Sequence, residues 1–597
     1  MAKSTKYNRI AIIDKDKCQP KACNYLCHRV CPPVRMGEDA IEITNRDNWS
    51  QPIINEELCT GCGICSNKCP FGAIQIINIG VDFSEPIHQF SINSYRLYSL
   101  PEIEKGYITG MIGRNGSGKS TALNILSGEL IPNLGNYKEK GNIDKVIEYY
   151  RGKNIQKHFK DIKNKEIKVS YKIQKVEDIP KMFNKKIIDL LNMTTNDKDN
   201  IKEIIKELEL EKIINKKTTE ISGGELQRIA IAASLLKKSN IYFFDEYTTF
   251  LDIRQRFKIA KLLRKKINPE KAIFLIEHDL AILDYLSDFT QIMFGQKNAY
   301  GMCSNKKSTK KGINEFLDGF LKEENIRIRK YSIDFASLKI TQDFKKNILT
   351  EYPDMKKKLG DFELDIKSAE IRKGEIIGVI GPNAIGKSTF IKMVSGEMKP
   401  DNCNINNNLK ISYKSQYIEL DKEKTVEELF LEKDIDYDIF NSEIKGQLDL
   451  EKIIQQKISE LSGGELQKVA IAYTISKNAD IYLIDEPSAF LDVEQKLIIS
   501  NVIKSVINKK EKSALIVDHD LLFIDQISDR VLLFEGTPSI KGYANEIGTI
   551  ENSFNKFLKE QNMTFRQDPQ TKRPRANKEG SQKDKEQKRD NKYYYSL

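Results

Sequence analysis

Two short stretches of the chain carry the residue types needed to hold the phosphates of a nucleotide. They are Gly113-Arg-Asn115-Gly116-Ser-Gly118-Lys119-Ser120-Thr121 and Gly381-Pro-Asn383-Ala-Ile-Gly386-Lys387-Ser388-Thr389, each following an apolar run (107–112 and 376–380). A glycine-rich turn between strand and helix lets successive backbone N–H groups face phosphate oxygens, helped by the helix N-terminus. In such a loop Lys119 or Lys387 reaches the β- and γ-phosphates, and the Ser120 or Ser388 hydroxyl binds Mg2+. Downstream, each copy has an apolar run ending in Asp-Glu, at Asp245-Glu246 and Asp485-Glu486. An Asp closing a buried strand binds Mg2+ through water, and the Glu beside it is placed to polarise an attacking water. Gln174 and Gln416 are suited to join metal and water to a neighbouring subdomain. His278 and His519 are two of only five histidines and hold matching places after the last core strand. One such histidine alone would be read as a satisfied core residue; two in register point to the reaction centre. The expected chemistry is Mg2+-dependent ATP hydrolysis at two sites.

The elements that must position these groups also come in duplicate. Ser-Tyr-Lys-Ile-Gln174 returns as Ser-Tyr-Lys-Ser-Gln416, Ser222-Gly223-Gly224-Glu225-Leu-Gln as Ser462-Gly463-Gly464-Glu465-Leu-Gln, and Glu-His278-Asp as Asp-His519-Asp, at an offset of 240 to 242 residues. That is a duplicated domain, not a short-period solenoid. Strand-like runs at 241–244, 272–276, 481–484 and 514–517 alternate with longer helical stretches, which predicts an α/β fold with a largely parallel sheet in each copy. One interval differs. The first glycine loop lies 61 residues ahead of its Gln (113 to 174) and the second 35 ahead (381 to 416), so the first copy has 26 extra residues. The spacing of Ile143, Val146, Ile147 and Tyr150, then Arg151-Gly152, then Ile155, Phe159 and Ile162 predicts a helical hairpin within 141–168; a decorative surface insertion is the plainer reading.

Eight of the ten cysteines lie between Cys18 and Cys69; Cys303 and Cys403 stand apart. A dense cysteine block in a long chain suggests metal binding rather than disulfides. Cys59-x2-Cys62-x2-Cys65-x3-Cys69-Pro matches the bacterial ferredoxin run, in which the fourth Cys serves the other cluster. Cys18-x4-Cys23-x3-Cys27-x3-Cys31-Pro is a looser version. By that crossover rule Cys59, Cys62, Cys65 and Cys31 hold one [4Fe-4S] cluster, and Cys18, Cys23, Cys27 and Cys69 the second. Structural zinc, the alternative, uses paired cysteines with longer gaps between pairs.

The length, 597 residues, allows roughly four domains. No apolar run approaches the ~20 residues that span a bilayer, and the first 14 residues lack the apolar core of a secretory signal; a cytoplasmic protein without membrane contact is expected. The formal charge is +11, and segments 141–168, 297–330 and 561–597 net +4, +5 and +5. The basic excess thus sits on an insertion and on connectors, where it suits a polyanionic partner such as nucleic acid. Solvated lysine-rich loops are the bland alternative.

The repeated Ser-Gly-Gly-Glu, set between the glycine loops and the Asp-Glu pairs, identifies the ATP-binding-cassette (ABC) superfamily over about 85–296 and 345–536. The resemblance implies that each motif caps ATP held by the opposite cassette. Site one then joins Lys119, Gln174, Glu246 and His278 to Ser462, Gly464 and Glu465; site two joins Lys387, Gln416, Glu486 and His519 to Ser222, Gly224 and Glu225. Two departures are visible: Ala384 stands where such loops usually have Gly, and Tyr247-Thr-Thr-Phe-Leu-Asp252 stands against Pro487-Ser-Ala-Phe-Leu-Asp492. Clusters, twin cassettes and no membrane span together resemble ABC subfamily E, the RNase L inhibitor-type ribosome-recycling ATPases of archaea and eukaryotes. Asn24-Tyr25, Tyr-Arg151-Gly, Gly312-Ile-Asn-x-Phe-Leu-Asp-Gly319, Tyr352-Pro-x-Met-Lys-Lys-Lys, Phe565-Arg, Arg573-Pro-Arg-Ala-Asn-Lys578 and Gly580-Ser581 carry the likeness. It implies a ferredoxin-like α+β twin-cluster domain (1–80), a first cassette (81–296) whose insertion touches the small ribosomal subunit and its rRNA, a hinge (297–340), a second cassette (341–536) placed head-to-tail, and a second hinge with a basic tail (537–597). It further implies a monomer with intramolecular cassette pairing, and partners among ribosomes, a rescue or termination factor of the release-factor-one/Pelota type, and initiation factors. Phe90, Tyr95, Tyr352 and Phe362 are candidates for adenine stacking. A redox enzyme fed by a ferredoxin module, and the ATPase half of a transporter, are the alternatives.

Overall fold

The structure is a computed structural model describing residues 8–79, 85–172, 174–333, 335, 347–404, 409–416, 418 and 420–595; the expected junctions near 80–84 and 336–346 lie outside them. Strand Asn8–Ile13 pairs antiparallel with Ile74–Ile79, and of the short helices Pro20–Cys23, Leu26–Val30, Pro32–Arg35 and Ile64–Lys68 three carry a cysteine each, Cys23, Cys27 and Cys65, with the other cysteines in the turns beside them. Too small to build a large apolar core, this unit interleaves Ala11, Ile13, Ile41, Ile54 and Ile74 with Cys27, Cys31 and Cys65. It is fastened to the first cassette by Asn93, which is buried and gives its Nδ2–H groups to the carbonyls of Ala11 (3.2 Å) and Ile54 (3.0 Å) while its Oδ1 accepts from Ile54 N–H (2.8 Å). Arg96 adds an ion pair with Glu56 at 2.7 Å.

Each cassette is built on a nine-stranded sheet. In the first, Phe289–Gln296, Ile108–Gly113, Ala272–Ile276, Ile241–Asp245 and Val169–Lys172 run parallel in that order. The second repeats the order with Arg530–Thr537, Ile376–Ile380, Ser513–Val517, Ile481–Asp485 and Ile411–Lys414. The central strands Ile108–Gly113, Ala272–Ile276, Ile241–Asp245 and their counterparts are buried on both faces, as apolar parallel strands covered by helices must be. The glycine loops lie beyond the C-terminal ends of Ile108–Gly113 and Ile376–Ile380, and helices Lys119–Ser127 and Lys387–Ser395 start inside them.

The expected domain limits at 296 and 536 fall within hairpins. Tyr300–Cys303 turns back onto Phe289–Gln296, and Lys541–Ala544 onto Arg530–Thr537, so each cassette sheet continues past its expected end. The segments expected to be hinges run on from these strands and brace both cassettes. Arg573 and Arg575 of the C-terminal segment close on buried Asp284 of the first cassette, and the Tyr594 hydroxyl donates to Asp525, the matching aspartate of the second. Asn314 of the first hinge donates to Gln570 at 2.7 Å. The insertion is a hairpin of helices Ile143–Tyr149 and Ile155–Lys163. Val146, Tyr150 and Phe159 are buried against the first cassette, and the eight Lys/Arg residues of 141–168 are all exposed.

Candidate functional site

Each phosphate loop folds around its own lysine. Lys119 Nζ donates to the carbonyls of Gly113 and Arg114, both at 2.9 Å, and Lys387 Nζ to Gly381 (2.9 Å) and Pro382 (2.6 Å). Burial lowers the pKa of both ammonium groups, Lys387 to about 8. Ser120 Oγ lies 3.2 Å from Asp245 Oδ2, and Ser388 Oγ 3.3 Å from Asp485 Oδ2. A hydroxyl facing a carboxylate is a donor set of hard oxygens that suits Mg2+. Burial, and then the charge of Glu246, raises Asp245 to about 6; a bound dication would return it to the anion. A side chain at Gly118 would be strained: at φ +96 a Cβ would come within 1.7 Å of the Tyr95 hydroxyl, which donates to Ser117 O. Among the stacking candidates, Tyr95 and Phe362 border Gly118 and Gly386, and Phe90 is exposed. Tyr352 is corrected: it is 4% exposed and packed on Phe390, inside the core of the second cassette.

The Glu of each Asp-Glu pair sits at a left-handed turn where its strand ends, φ 48 for Glu246 and 47 for Glu486. The strained turn is held from two sides. Gln227 and Gln467, in the helices begun by Ser222 and Ser462, give Nε2–H to the Glu246 and Glu486 carbonyls at 2.9 and 2.7 Å. Buried Lys172 and Lys414 give Nζ–H to the Asp245 and Asp485 carbonyls at 2.9 and 2.8 Å; burial brings each of these lysines down to about 8. His278 Nε2 stands 3.5 Å from Glu246 Oε1, and His519 Nε2 3.7 Å from Glu486 Oε1. Burial followed by the nearby lysine charge lowers both imidazoles, His519 furthest. Among the described residues, both ring nitrogens of His278 and Nδ1 of His519 are buried without a hydrogen-bond partner, which is the condition of groups awaiting a ligand. Burial pushes Glu246 up, but the His278 ring, the Lys119 charge and the Gln174 amide outweigh it and hold it below the ordinary carboxylate range. Glu486 is raised by burial and by Asp485, although Gln416 Nε2 donates to it at 2.9 Å.

Ser222-Gly-Gly-Glu225 and Ser462-Gly-Gly-Glu465 are capping boxes. The serine hydroxyl caps the helix, and the glutamate returns to the serine N–H at 2.8 and 3.1 Å. Across the cassette interface, Asp492 Oδ2 accepts from Asn115 N–H at 3.0 Å, and Asp252 Oδ2 from Asn383 N–H at 2.9 Å. Each cassette thus reaches the other's phosphate loop. At site one Lys297 also pairs with Glu465 at 3.1 Å, and Arg114 with Glu494.

The cysteines gather in two groups. Burial, and then its neighbours Cys23, Cys18 and Cys69, push the Cys27 thiol up to about 11; burial, Cys59, Cys31 and Cys27 push Cys65 up to about 12. Cys31, Cys59, Cys62 and Cys65 line one cavity with Ile41 and Ile54. Four thiols around an apolar cavity, with nearby thiols clustered behind them, fit iron–sulfur ligation, since binding iron would remove their protons.

Residues 101–249 and 364–489 match the ABC transporter family, 52–75 match a 4Fe-4S binding domain, and 9–39 match a family described as "Possible Fer4-like domain in RNase L inhibitor, RLI". The chain is 40% identical over 603 residues to ABC transporter E family member 1 of Arabidopsis thaliana, covering 99% of each. The chain belongs to the ABC transporter E family. A relative from Methanocaldococcus jannaschii, named as an uncharacterized ABC transporter ATP-binding protein, is 48% identical over 594 residues (99% of this chain, 98% of the relative). Translation initiation factor RLI1 of Saccharomyces cerevisiae is 40% identical over 603 residues (99% of each). Among solved structures, a chain in a model of ribosome-bound archaeal Pelota and ABCE1 superposes with TM-score 0.92 at 46% identity, covering 99% of this chain and 100% of that one. A crystal structure of the complex of archaeal ribosomal stalk protein aP1 and archaeal ribosome recycling factor aABCE1 gives TM-score 0.81 at 45% identity (86% and 99%). As an E-family protein this chain is an ATPase that uses ATP, Mg2+ and iron–sulfur clusters.

Several residues around these E-family sites carry little signal in the sequence. Asp252 and Asp492 are visible only as the last letter of a repeated Phe-Leu-Asp, and Lys172 and Lys414 as part of a repeated Ser-Tyr-Lys. Repetition in register is the signal in both cases. Asn93, Arg114 and Glu494 occur once and carry no such mark.

Proposed function

We propose that this protein is an ATP-hydrolysing ribosome-recycling factor that splits ribosomes into subunits after termination or stalling, using closure of its cassettes to move the cluster domain. The observation that carries this reading is the end-to-end likeness, at TM-score 0.92, to the chain in the ribosome-bound Pelota–ABCE1 assembly. The exposed basic hairpin on the first cassette supports it, because nothing in the duplicated ATP chemistry needs that insertion. Its partners are the small subunit and its rRNA, a Pelota or release-factor-one type factor, and initiation factors; it works in the cytoplasm. Among the described residues no helix is long and apolar enough to cross a membrane.

In this reading Lys119 and Lys387 leave their loop carbonyls to pair with the β- and γ-phosphates, and the loop N–H groups cradle them. Ser120 with Asp245, and Ser388 with Asp485, aided by Gln174 and Gln416, would hold Mg2+, which when bound neutralises charge on the transferred phosphate. Glu246 and Glu486 orient the attacking water and draw on its proton, while His278 and His519 donate toward the γ-phosphate. Ser222 and Ser462, at the N-termini of their helices, close over the nucleotide of the opposite cassette. Cys31, Cys59, Cys62 and Cys65 would hold one cluster, and Cys18, Cys23, Cys27 and Cys69 the other. Co-sedimentation with ribosomes tests the reading. Binding should strengthen with a non-hydrolysable ATP analogue and weaken when Arg151 and Lys157 are changed to Glu; absence of ATP-dependent co-sedimentation would overturn it.

A further inference from the structure

On the first cassette, at the end of the sheet opposite the ATP site, lies a concavity of about 420 Å3 lined by Lys168, Lys237, Lys238, Lys266 and Lys271 with Asn240 among them. The lysines converge because three parallel strands start there. Lys168, Asn240 and Lys271 each precede a strand, Lys237 and Lys238 follow helix Gly223–Leu236, and Lys266 ends helix Ile253–Lys266. No Asp or Glu lines it, and among the described residues none of the five ammonium groups has an acidic partner. Lys271 has only the face of the Tyr242 ring, 5.9 Å away.

The second cassette supplies an internal control. Helix C-termini favour lysine for their dipole alone, and the second copy keeps lysines at the corresponding helix and strand ends. There, however, the two on the helix end and the last strand have acidic partners. Asp480 pairs with Lys512 at 2.8 Å, and Lys510 gives Nζ–H to the carbonyls of Ile475 and Lys477 and lies 3.7 Å from Asp436. The residue matching Asp480 in the first copy is Asn240. Both make the same local bond, Asp480 Oδ2 accepting from Lys410 N–H at 3.0 Å and Asn240 Oδ1 from Lys168 N–H at 3.1 Å. The substitution keeps the turn and removes the charge. Capping and folding account for the geometry of both copies, but not for the absence, in the first copy only, of any carboxylate among the converging lysines.

We infer that this pocket is a docking site for the phosphate backbone of RNA, separate from the hairpin at 141–168 and from the nucleotide sites. Lysines bind phosphate as flexible point charges without demanding a fixed bidentate geometry, and a concavity without acidic residues or an exposed aromatic platform suits a backbone rather than bases. The inference extends the recycling reading without depending on it, because a bare RNA duplex is a sufficient probe.

The test uses the full-length protein and a fluorescein-labelled RNA duplex, with anisotropy followed across a potassium chloride titration. Asn240→Asp restores the charge that the second copy carries while preserving the hydrogen bond, and Lys237→Gln with Lys238→Gln removes two exposed cations. Each lysine–phosphate pairing that is abolished should reduce the slope of log K against log salt by about one. The expected results are a slope shallower by about one for Asn240→Asp and by about two for the double variant. Low-salt affinity should fall about ten-fold, with ATP turnover and melting temperature unchanged. An unchanged slope in both folded variants overturns the site. So does binding of fluorescein-labelled poly-glutamate that Asn240→Asp abolishes while duplex affinity and slope stay at wild-type values, which would make the pocket a receptor for an acidic peptide.

Discussion

Glu494 of the second cassette grips Arg114 of the first phosphate loop with both carboxylate oxygens, and the same carboxylate accepts from the Tyr331 hydroxyl of the first hinge at 2.7 Å. Among the described residues site two has no equivalent. The matching residues are Pro382 and Arg254, and Arg254 turns to Glu209 of its own cassette at 3.3 Å. The other ion pair of site one, Lys297 with Glu465, meets Pro538 in the second copy. Both sites share the Asp–Asn contact across the interface, and site one adds charge pairs to it.

This asymmetry predicts a salt dependence that differs between the sites. In a Glu486→Gln background, where hydrolysis reports site one, Arg114→Ala should slow single-turnover hydrolysis several-fold, and rising salt should do the same to the parent. In a Glu246→Gln background neither should matter much. Equal salt sensitivity in both backgrounds would show that the ion pairs do not govern closure.

Removing the water-orienting carboxylate should trap nucleotide. Glu246→Gln and Glu486→Gln are each expected to keep ATP affinity and to lower hydrolysis at their own site by roughly 10²–10⁴-fold, the usual range for a general base. Normal single-turnover rates in both variants would remove these glutamates from the reaction.

Ala384 lies at φ +55, in the left-handed region that its counterpart Gly116 occupies at φ +76. A residue with a Cβ there costs about 1 kcal/mol. Ala384→Gly should relieve that strain, raise the melting temperature of the second cassette by about 2 °C and speed hydrolysis at site two. A lower melting temperature would mean that the loop has adapted to alanine.

Much of this is legible in the sequence because duplication separates signal from accident. The phosphate loops, the Asp-Glu pairs and His278/His519 each appear twice in order, and their strands carry apolar runs that admit one assignment. The hairpin at 143–163 is legible because its buried residues recur at helical spacing. What cannot be read is anything set by the packing of one unit on another. Asn93 is an ordinary polar residue until the cluster domain docks on it. Arg573 is one more C-terminal cation until it is buried on Asp284. The cassette ends near 296 and 536 are hard to place because a hairpin returning to its sheet looks, in one dimension, like the start of a linker.

The buried carboxyl of Glu277 predicts a pH effect. It accepts from Thr248 N–H at 3.1 Å and from the Thr248 hydroxyl at 2.7 Å, but burial, with Asp279 and Glu246 nearby, raises it to about 7. The unfolded chain releases this proton near the ordinary glutamate value, roughly 4.3, so the group costs stability progressively as pH rises from there to about 7, and fully above it. Glu277→Gln cannot ionise. Its melting temperature relative to wild type should therefore be more favourable at pH 8 than at pH 5, and a difference independent of pH would contradict the shift.

The central claim, that ATP-driven closure works through the cluster domain on the ribosome, is tested most directly by density-gradient analysis of intact ribosomes incubated with ATP and a Pelota-type factor. Wild type should convert them to separate subunits, while Cys59→Ser, at equal ATP turnover, should leave them joined. Subunit separation by Cys59→Ser at the wild-type rate would contradict the account.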